Sequence, residues 1–126
     1  MNAEKLMTKN AVVFNENMTL QEAAMELIDR HLGGAPVVNS EGNVVGIITE
    51  KDLIVSADFI GESKMKIMKV HEVMTRDVVS FSKDSPVNEI ASVLIHRNIK
   101  RVPILDQNKC AGIISRKDIL KFLVSR

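Results

Sequence analysis

The sequence predicts one α/β (α+β) module made of two β-α-β-β-α repeats. Three observations predict it. The chain matches itself at an offset of 67 residues, each copy runs from a short β-rich segment through an amphipathic helix into a proline-led hairpin, and one copy alone is too short to bury its apolar faces. Two copies related by a pseudo-twofold axis can pack sheet to sheet into one globular module.

The repeat is read first. At an offset of 67, Met7–Thr8 falls on Met74–Thr75, Phe14 on Phe81, Glu22 on Glu89, Ala24 on Ala91, Leu27–Ile28 on Leu94–Ile95, Arg30 on Arg97 and Pro36 on Pro103. Beyond the prolines the offset drops to 66, and Gly46-Ile47-Ile48-Thr49-Glu50-Lys51-Asp52 overlays Gly112-Ile113-Ile114-Ser115-Arg116-Lys117-Asp118. A loop absorbs the one-residue difference easily. The repeats are assigned to residues 1–58 and 70–126, with a connector at 59–69.

Each element follows from local chemistry. Ala11–Phe14 and Val78–Phe81 read as opening strands. Residues 20–32 read as a helix with Ala23, Ala24, Leu27, Ile28 and Leu32 on one face. Thr19 with Glu22 forms a capping box, and Gly33-Gly34 stops the helix. In the second copy Ser85-Pro86 marks the helix start, with Pro86 suited to the first helical position. The hairpins pair Pro36–Asn39 with Val44–Ile48 and Pro103–Asp106 with Cys110–Ile114, across the polar turns Ser40–Asn43 and Asp106–Lys109. Closing helices begin near Thr49 and Ser115. In the connecting stretch Lys64, Lys66 and Lys69 are interleaved with Met65, Ile67 and Met68, which suits a surface segment with one apolar side.

Composition excludes several classes of function. Hydrophobic content of 45% with 26% charge marks a globular protein, and seventeen basic against sixteen acidic side chains leave a net charge of +1. No global field favours nucleic acid or anionic lipid. Phe14, Phe59, Phe81 and Phe122 are the only aromatics, which removes the stacking platform that single-stranded nucleic acid needs. Apolar runs are far short of a membrane span, and residues 1–10 lack the apolar core of a signal peptide. Cys110 is the only cysteine, so neither a disulfide within the chain nor a thiolate metal cluster is available. A cytoplasmic protein is expected.

No catalytic constellation is signalled. His31, His71 and His96 lack zinc-ligand spacing, and no glycine-rich phosphate loop is present. Cys110 lies in an expected strand with nothing nearby to stabilise a thiolate. No enzyme, metal or required cofactor is expected.

The Met-Thr opening of each copy, a small or hydrophobic residue before each proline, and Gly-Ile-Ile-(Thr/Ser)-x-x-Asp occur twice, in order and at matching spacing. This pattern resembles the tandem CBS domain pair, or Bateman module, over about residues 7–122. The resemblance implies regulatory binding of an adenosine-containing ligand (AMP, ADP, ATP or S-adenosylmethionine) in clefts between the repeats. It also implies a homodimer and a regulated partner protein.

The resemblance assigns candidate residues. Asp52 and Asp118 become ribose ligands, and Thr49 and Ser115 become phosphate or ribose contacts. The same residues read equally as helix caps, with Ser or Thr three places before Asp. Asn10-Ala11-Val12 and Asp77-Val78-Val79 fall where the family's first strand lines the base pocket, and Pro36 and Pro103 complete the set. Lys100 and Arg101 stand where basic residues meet phosphate, or they form a solvated pair after a helix. Gly33-Gly34-Ala35 replaces that pair in the first copy, which weakens the case for phosphate contacts there or leaves room for a bulkier ligand. Met7 and Met74 read as core. The incomplete first site favours an alternative, a ligand-free module for dimerisation or partner binding.

Overall fold

The computed structural model describes residues 1–125. In chain order it contains α1 (Ala3–Leu6), β1 (Phe14–Asn15), α2 (Leu20–Arg30), β2 (Gly34–Val38), β3 (Val44–Thr49) and α3 (Glu50–Ile60). A 3-10 turn (Glu62–Lys66) follows, then α4 (Val70–Val73), β4 (Phe81–Ser82), α5 (Val87–His96), β5 (Arg101–Asp106), β6 (Lys109–Ser115) and α6 (Arg116–Ser125). There are two three-stranded sheets, ordered β1-β2-β3 and β4-β5-β6. Each has one parallel and one antiparallel pair. The expected mixed α/β repeat is therefore present twice.

Contacts divide the chain into two units cut differently from the sequence repeats. One is Val12–Val78; the other joins Met1–Ala11 to Val79–Arg126. In the first, α2, β2, β3 and α3 bury Leu20, Ala23, Leu27, Val37, Ile48 and Leu53, and Val70 and Met74 of the following segment join that core. In the second, Ile90, Leu94, Val102, Ile104 and Ile114 form the core, and Ala3 of α1 is buried among them.

In each unit a Met-Thr segment closes the hairpin. Thr75 exchanges backbone hydrogen bonds with Ile47 of β3 (2.8 and 2.9 Å), and Thr8 does the same with Ile113 of β6 (2.9 and 3.1 Å). The preceding methionine then lies over the glycine of the Gly-Ile-Ile motif. A Cβ at Gly46 would stand 2.5 Å from Met74 Sδ and 2.9 Å from the Thr75 carbonyl oxygen. At Gly112 it would meet Met7 Sδ at 2.6 Å and the Thr8 oxygen at 2.8 Å. Both glycines are required by close approach.

Several element boundaries differ from expectation. The opening strands are β1 and β4, two residues each, rather than Ala11–Phe14 and Val78–Phe81. Phe14 pairs with Val37 and Phe81 with Ile104, so one residue earlier the partner would be Pro36 or Pro103. A proline has no N–H for a ladder, and the parallel pairing starts only beyond it. Helix α2 ends at Arg30, not Leu32. His31 takes the left-handed conformation (φ 56°), and the Leu32 N–H reaches the Leu27 carbonyl, so the stop precedes Gly33-Gly34 and Gly34 opens β2. Pro86 is the N-cap of α5 rather than its first helical residue. The Thr19–Glu22 box is present, with Glu22 N–H to Thr19 Oγ1 at 3.1 Å and Thr19 N–H to Glu22 at 3.0 Å. Ile28, placed on the buried face by its spacing, is 70% exposed. In the connecting stretch Met65 and Met68 pack on the core while Ile67 is exposed.

Gly46→Ala and Gly112→Ala should each lower stability by about 1–3 kcal/mol, because methionine and backbone must both shift. Urea denaturation measures this, and an unchanged midpoint would show that the Met-Thr segment yields freely.

Candidate ligand-binding site

The hydroxyl and aspartate of each Gly-Ile-Ile-(Thr/Ser)-x-x-Asp motif join the end of a strand to the start of a helix. In the Val12–Val78 unit the Thr49 N–H donates to Asp52 Oδ2 (2.9 Å), and the Asp52 N–H donates to Thr49 Oγ1 (3.2 Å). In the other unit the Ser115 N–H donates to Asp118 Oδ2 (2.8 Å), the Ser115 hydroxyl donates to the same oxygen (3.1 Å), and the Asp118 N–H donates to Ser115 Oγ (3.3 Å). The capping reading of these residues is thus what the geometry shows. It leaves ligand contact open. Each box uses Oδ2 only, all four residues are half-buried, and both helices start with N–H groups that favour an anion or a hydroxyl acceptor.

Strand register sets what stands beside each box. Gly34 of β2 is the antiparallel partner of Thr49, and Arg101 of β5 is the partner of Ser115. The first turn of each helix is tied back to the same place, Glu50 N–H to the Gly33 carbonyl (3.0 Å) and Arg116 N–H to the Lys100 carbonyl (3.1 Å). The frames match and the side chains do not. Arg116 adds a feature the first copy lacks, where Glu50 stands in its place. Its guanidinium donates from Nε (3.2 Å) and Nη2 (3.0 Å) to the Leu94 carbonyl near the end of α5.

The remaining candidates fall in both units. Val12, Pro36, Asp77 and Val78 belong with Thr49 and Asp52, whereas Asn10, Ala11, Val79, Lys100 and Pro103 belong with Ser115, Asp118 and Arg101. The unit boundaries fall inside Asn10-Ala11-Val12 and Asp77-Val78-Val79. Asn10 is exposed and left-handed (φ 54°), a conformation asparagine tolerates. Val12 and Val79 are half-buried and pack against the core of their unit. Asp77 and Lys100 are exposed, and Pro36 and Pro103 are fully buried. Sequence reasoning named the hydroxyl–carboxylate pairs and Arg101 as candidates. It missed the pairing of Gly34 and Arg101 with the capping residues, because register across a hairpin depends on the turn and its bulge.

Two apolar grooves lie elsewhere. One of about 620 Å³ runs between α2 and α3, lined by Ala24, Ile28, Leu53, Ile54 and Met65. One of about 600 Å³ in the other unit is lined by Val87, Ala91, Ile95, Ile119 and Leu123. Neither is lined by a capping hydroxyl or aspartate, and the first reaches Gly33 and Glu50 beside Thr49. Among the described residues no three His, Cys, Asp or Glu side chains converge as a metal site, and no helix is long and apolar enough to cross a membrane.

Comparison with known proteins decides the family. The CBS domain model matches residues 3–57 and 70–125. The chain belongs to the CBS domain family. As a CBS pair it superposes on the crystal structure of the CBS domain pair of protein MJ0100, solved in complex with 5′-methylthioadenosine and S-adenosyl-L-methionine. The TM-score is 0.86 at 27% identity, covering 99% of this chain and 97% of that one. Relatives by sequence include the uncharacterized protein MJ1225 of Methanocaldococcus jannaschii, 29% identical over 122 residues, 96% of this chain and 42% of that protein. The inosine-5′-monophosphate dehydrogenase of the same organism is 33% identical over 120 residues, 94% of this chain and 23% of the enzyme. The CBS pair thus spans less than half the length of these two curated relatives.

Cys110 is half-buried in β6, and its thiol donates to the Gly112 carbonyl at 3.4 Å. Burial pushes the thiol pKa up, so it stays protonated and a poor nucleophile at neutral pH. Ellman's reagent should react with the folded protein more slowly than with the chain in denaturant at the same pH. Equal rates would show an activated or open thiol.

Proposed function

We propose that this chain is a cytoplasmic regulatory CBS pair, without catalysis of its own, that binds an adenosine-containing ligand and works as a homodimer sensed by a partner protein. The observation that carries the reading is the doubled hydroxyl–aspartate box. In it a half-buried carboxylate at a helix start uses one oxygen in the cap and keeps the other outside it, an arrangement suited to accept both hydroxyls of a ribose. The adenosine ligands of the similar MJ0100 pair support the same chemistry. The enzyme relative matches this chain over only a quarter of its length, in keeping with a part that regulates rather than reacts. Asp118 and Asp52 hold the ribose, Ser115, Thr49 and Arg101 meet what the ribose carries, and Val12 and Val79 flank the base.

Ligand binding stabilises the folded state by mass action, about 2.7 kcal/mol at one hundred times Kd. AMP, ADP, ATP or S-adenosylmethionine should therefore raise Tm by roughly 10 °C near saturation. Asp118→Asn keeps a capping oxygen but loses the charge, and should cut that shift by more than half while the apo protein stays folded. No shift with any of the four at millimolar concentration would end the adenosine reading.

Exposed apolar side chains favour the homodimer and, as a second reading, a ligand-free interaction module. Ile28, Ile54 and Phe59 on α2 and α3 are 70%, 68% and 81% exposed, and α5 and α6 expose Ile95, Leu120 and Leu123. Light scattering should give twice the mass of one chain, and Ile28→Glu with Ile54→Glu should reduce it to one. A wild-type monomer would remove the dimer from the proposal. A dimer that no adenosine compound stabilises would favour the ligand-free module.

A further inference from the structure

We infer that the two halves of this chain take chemically different ligands: the Ser115–Asp118 half an adenosine with a 5′ phosphate, the Thr49–Asp52 half an adenosine whose 5′ substituent carries no negative charge. The inference rests on the adenosine reading above and adds a specificity that likeness between the repeats would not suggest.

The backbone frames of the halves agree. In both, a hydroxyl residue and an aspartate cap a helix of ten or eleven residues, and the helix start is tied to the residue just before the strand that carries the proline. The charges differ. The segments that meet at Thr49 contribute Gly33, Gly34, Glu50, Lys51 and Asp52, a net charge of −1. The segments that meet at Ser115 contribute Lys100, Arg101, Arg116, Lys117 and Asp118, a net charge of +3, with the Arg116 guanidinium bonded to the Leu94 carbonyl.

Position makes the contrast effective. Arg101 is directly opposite Ser115 in the antiparallel pair, so the two side chains project from the same face of the sheet. A ribose held by Asp118 would bring its 5′ group to that face, where a guanidinium offers forked, charge-assisted hydrogen bonds to phosphate oxygens. Gly34 is opposite Thr49, and a glycine puts no side chain there. A phosphate at that place would find the Thr49 hydroxyl and helix N–H groups but two carboxylates within a Debye length. A neutral thioether or a sulfonium escapes the repulsion, and the bare glycine leaves space for its substituent.

Titration calorimetry of the whole chain with AMP and with 5′-methylthioadenosine, alone and in each other's presence, tests the inference without any variant. Each compound should bind one site per chain, and saturating AMP should leave the 5′-methylthioadenosine affinity within about twofold. Rising salt should weaken AMP alone. Arg101→Gln should weaken AMP at least tenfold and spare 5′-methylthioadenosine. Mutual displacement, AMP filling two sites per chain, equal weakening of both by Arg101→Gln, or binding of only one of the two compounds would each overturn the inference while leaving an adenosine site in place. Binding of neither compound would overturn the adenosine reading and this inference together.

Discussion

The reciprocal hydrogen bonds between Thr49 and Asp52, and between Ser115 and Asp118, are the constraint on which the rest of the site depends. A strand that runs directly into a helix must change backbone conformation within one residue, and it leaves N–H groups of the first helical turn without partners. The hydroxyl answers one of these and the carboxylate turns back to answer the N–H of the capping residue. Both side chains are thereby locked at the helix start, which is where a polar ligand gains most from the remaining N–H groups and the helix dipole. The capping role therefore leaves the proposed binding role open, because one carboxylate oxygen of each pair lies outside the cap.

Where local chemistry decides, the sequence was readable. The Thr19–Glu22 box, the start of α3 and α6, and the hairpin turns lie where spacing and side-chain type place them, whereas β2 and β5 begin two residues before the prolines expected to lead them. Where a distant partner decides, it was not. The opening strands lose residues because the partner one place earlier is a proline on the neighbouring strand, a fact that no window around Ala11 or Val78 contains. The end of α2 falls at His31 because the chain accepts a left-handed residue there, two places before the glycines that invite it more openly. Ile28 carries the right period for burial, yet it lies at the edge of the apolar stripe, beside the groove between α2 and α3.

The Met-Thr segments show the same limit more sharply. Met7-Thr8 and Met74-Thr75 announce each repeat in the sequence, but neither packs on the repeat that it announces. Thr8 bridges to Ile113 and Thr75 to Ile47, and the two glycines admit the methionines over the strands. Gly46 and Gly112 serve in the sequence only as markers of the repeat. Their physical reason, an approach too close for a Cβ, depends on a segment nearly thirty residues away in one case and over a hundred in the other.

These bridges also tie the site to the segments that close the hairpins. Ile47 and Ile113 lie two residues before Thr49 and Ser115 on the same strands, so a shift of either capping residue is shared with the bridge behind it. Because hydrogen bonds of the main chain build most of this frame, it tolerates different side chains around it. That freedom is visible at Gly34 and Arg101, which hold equivalent places in register and differ by a full charge. A duplicated scaffold whose geometry is held by backbone can keep its shape while its two copies diverge in charge, and charge is the property that separates a phosphate from a thioether.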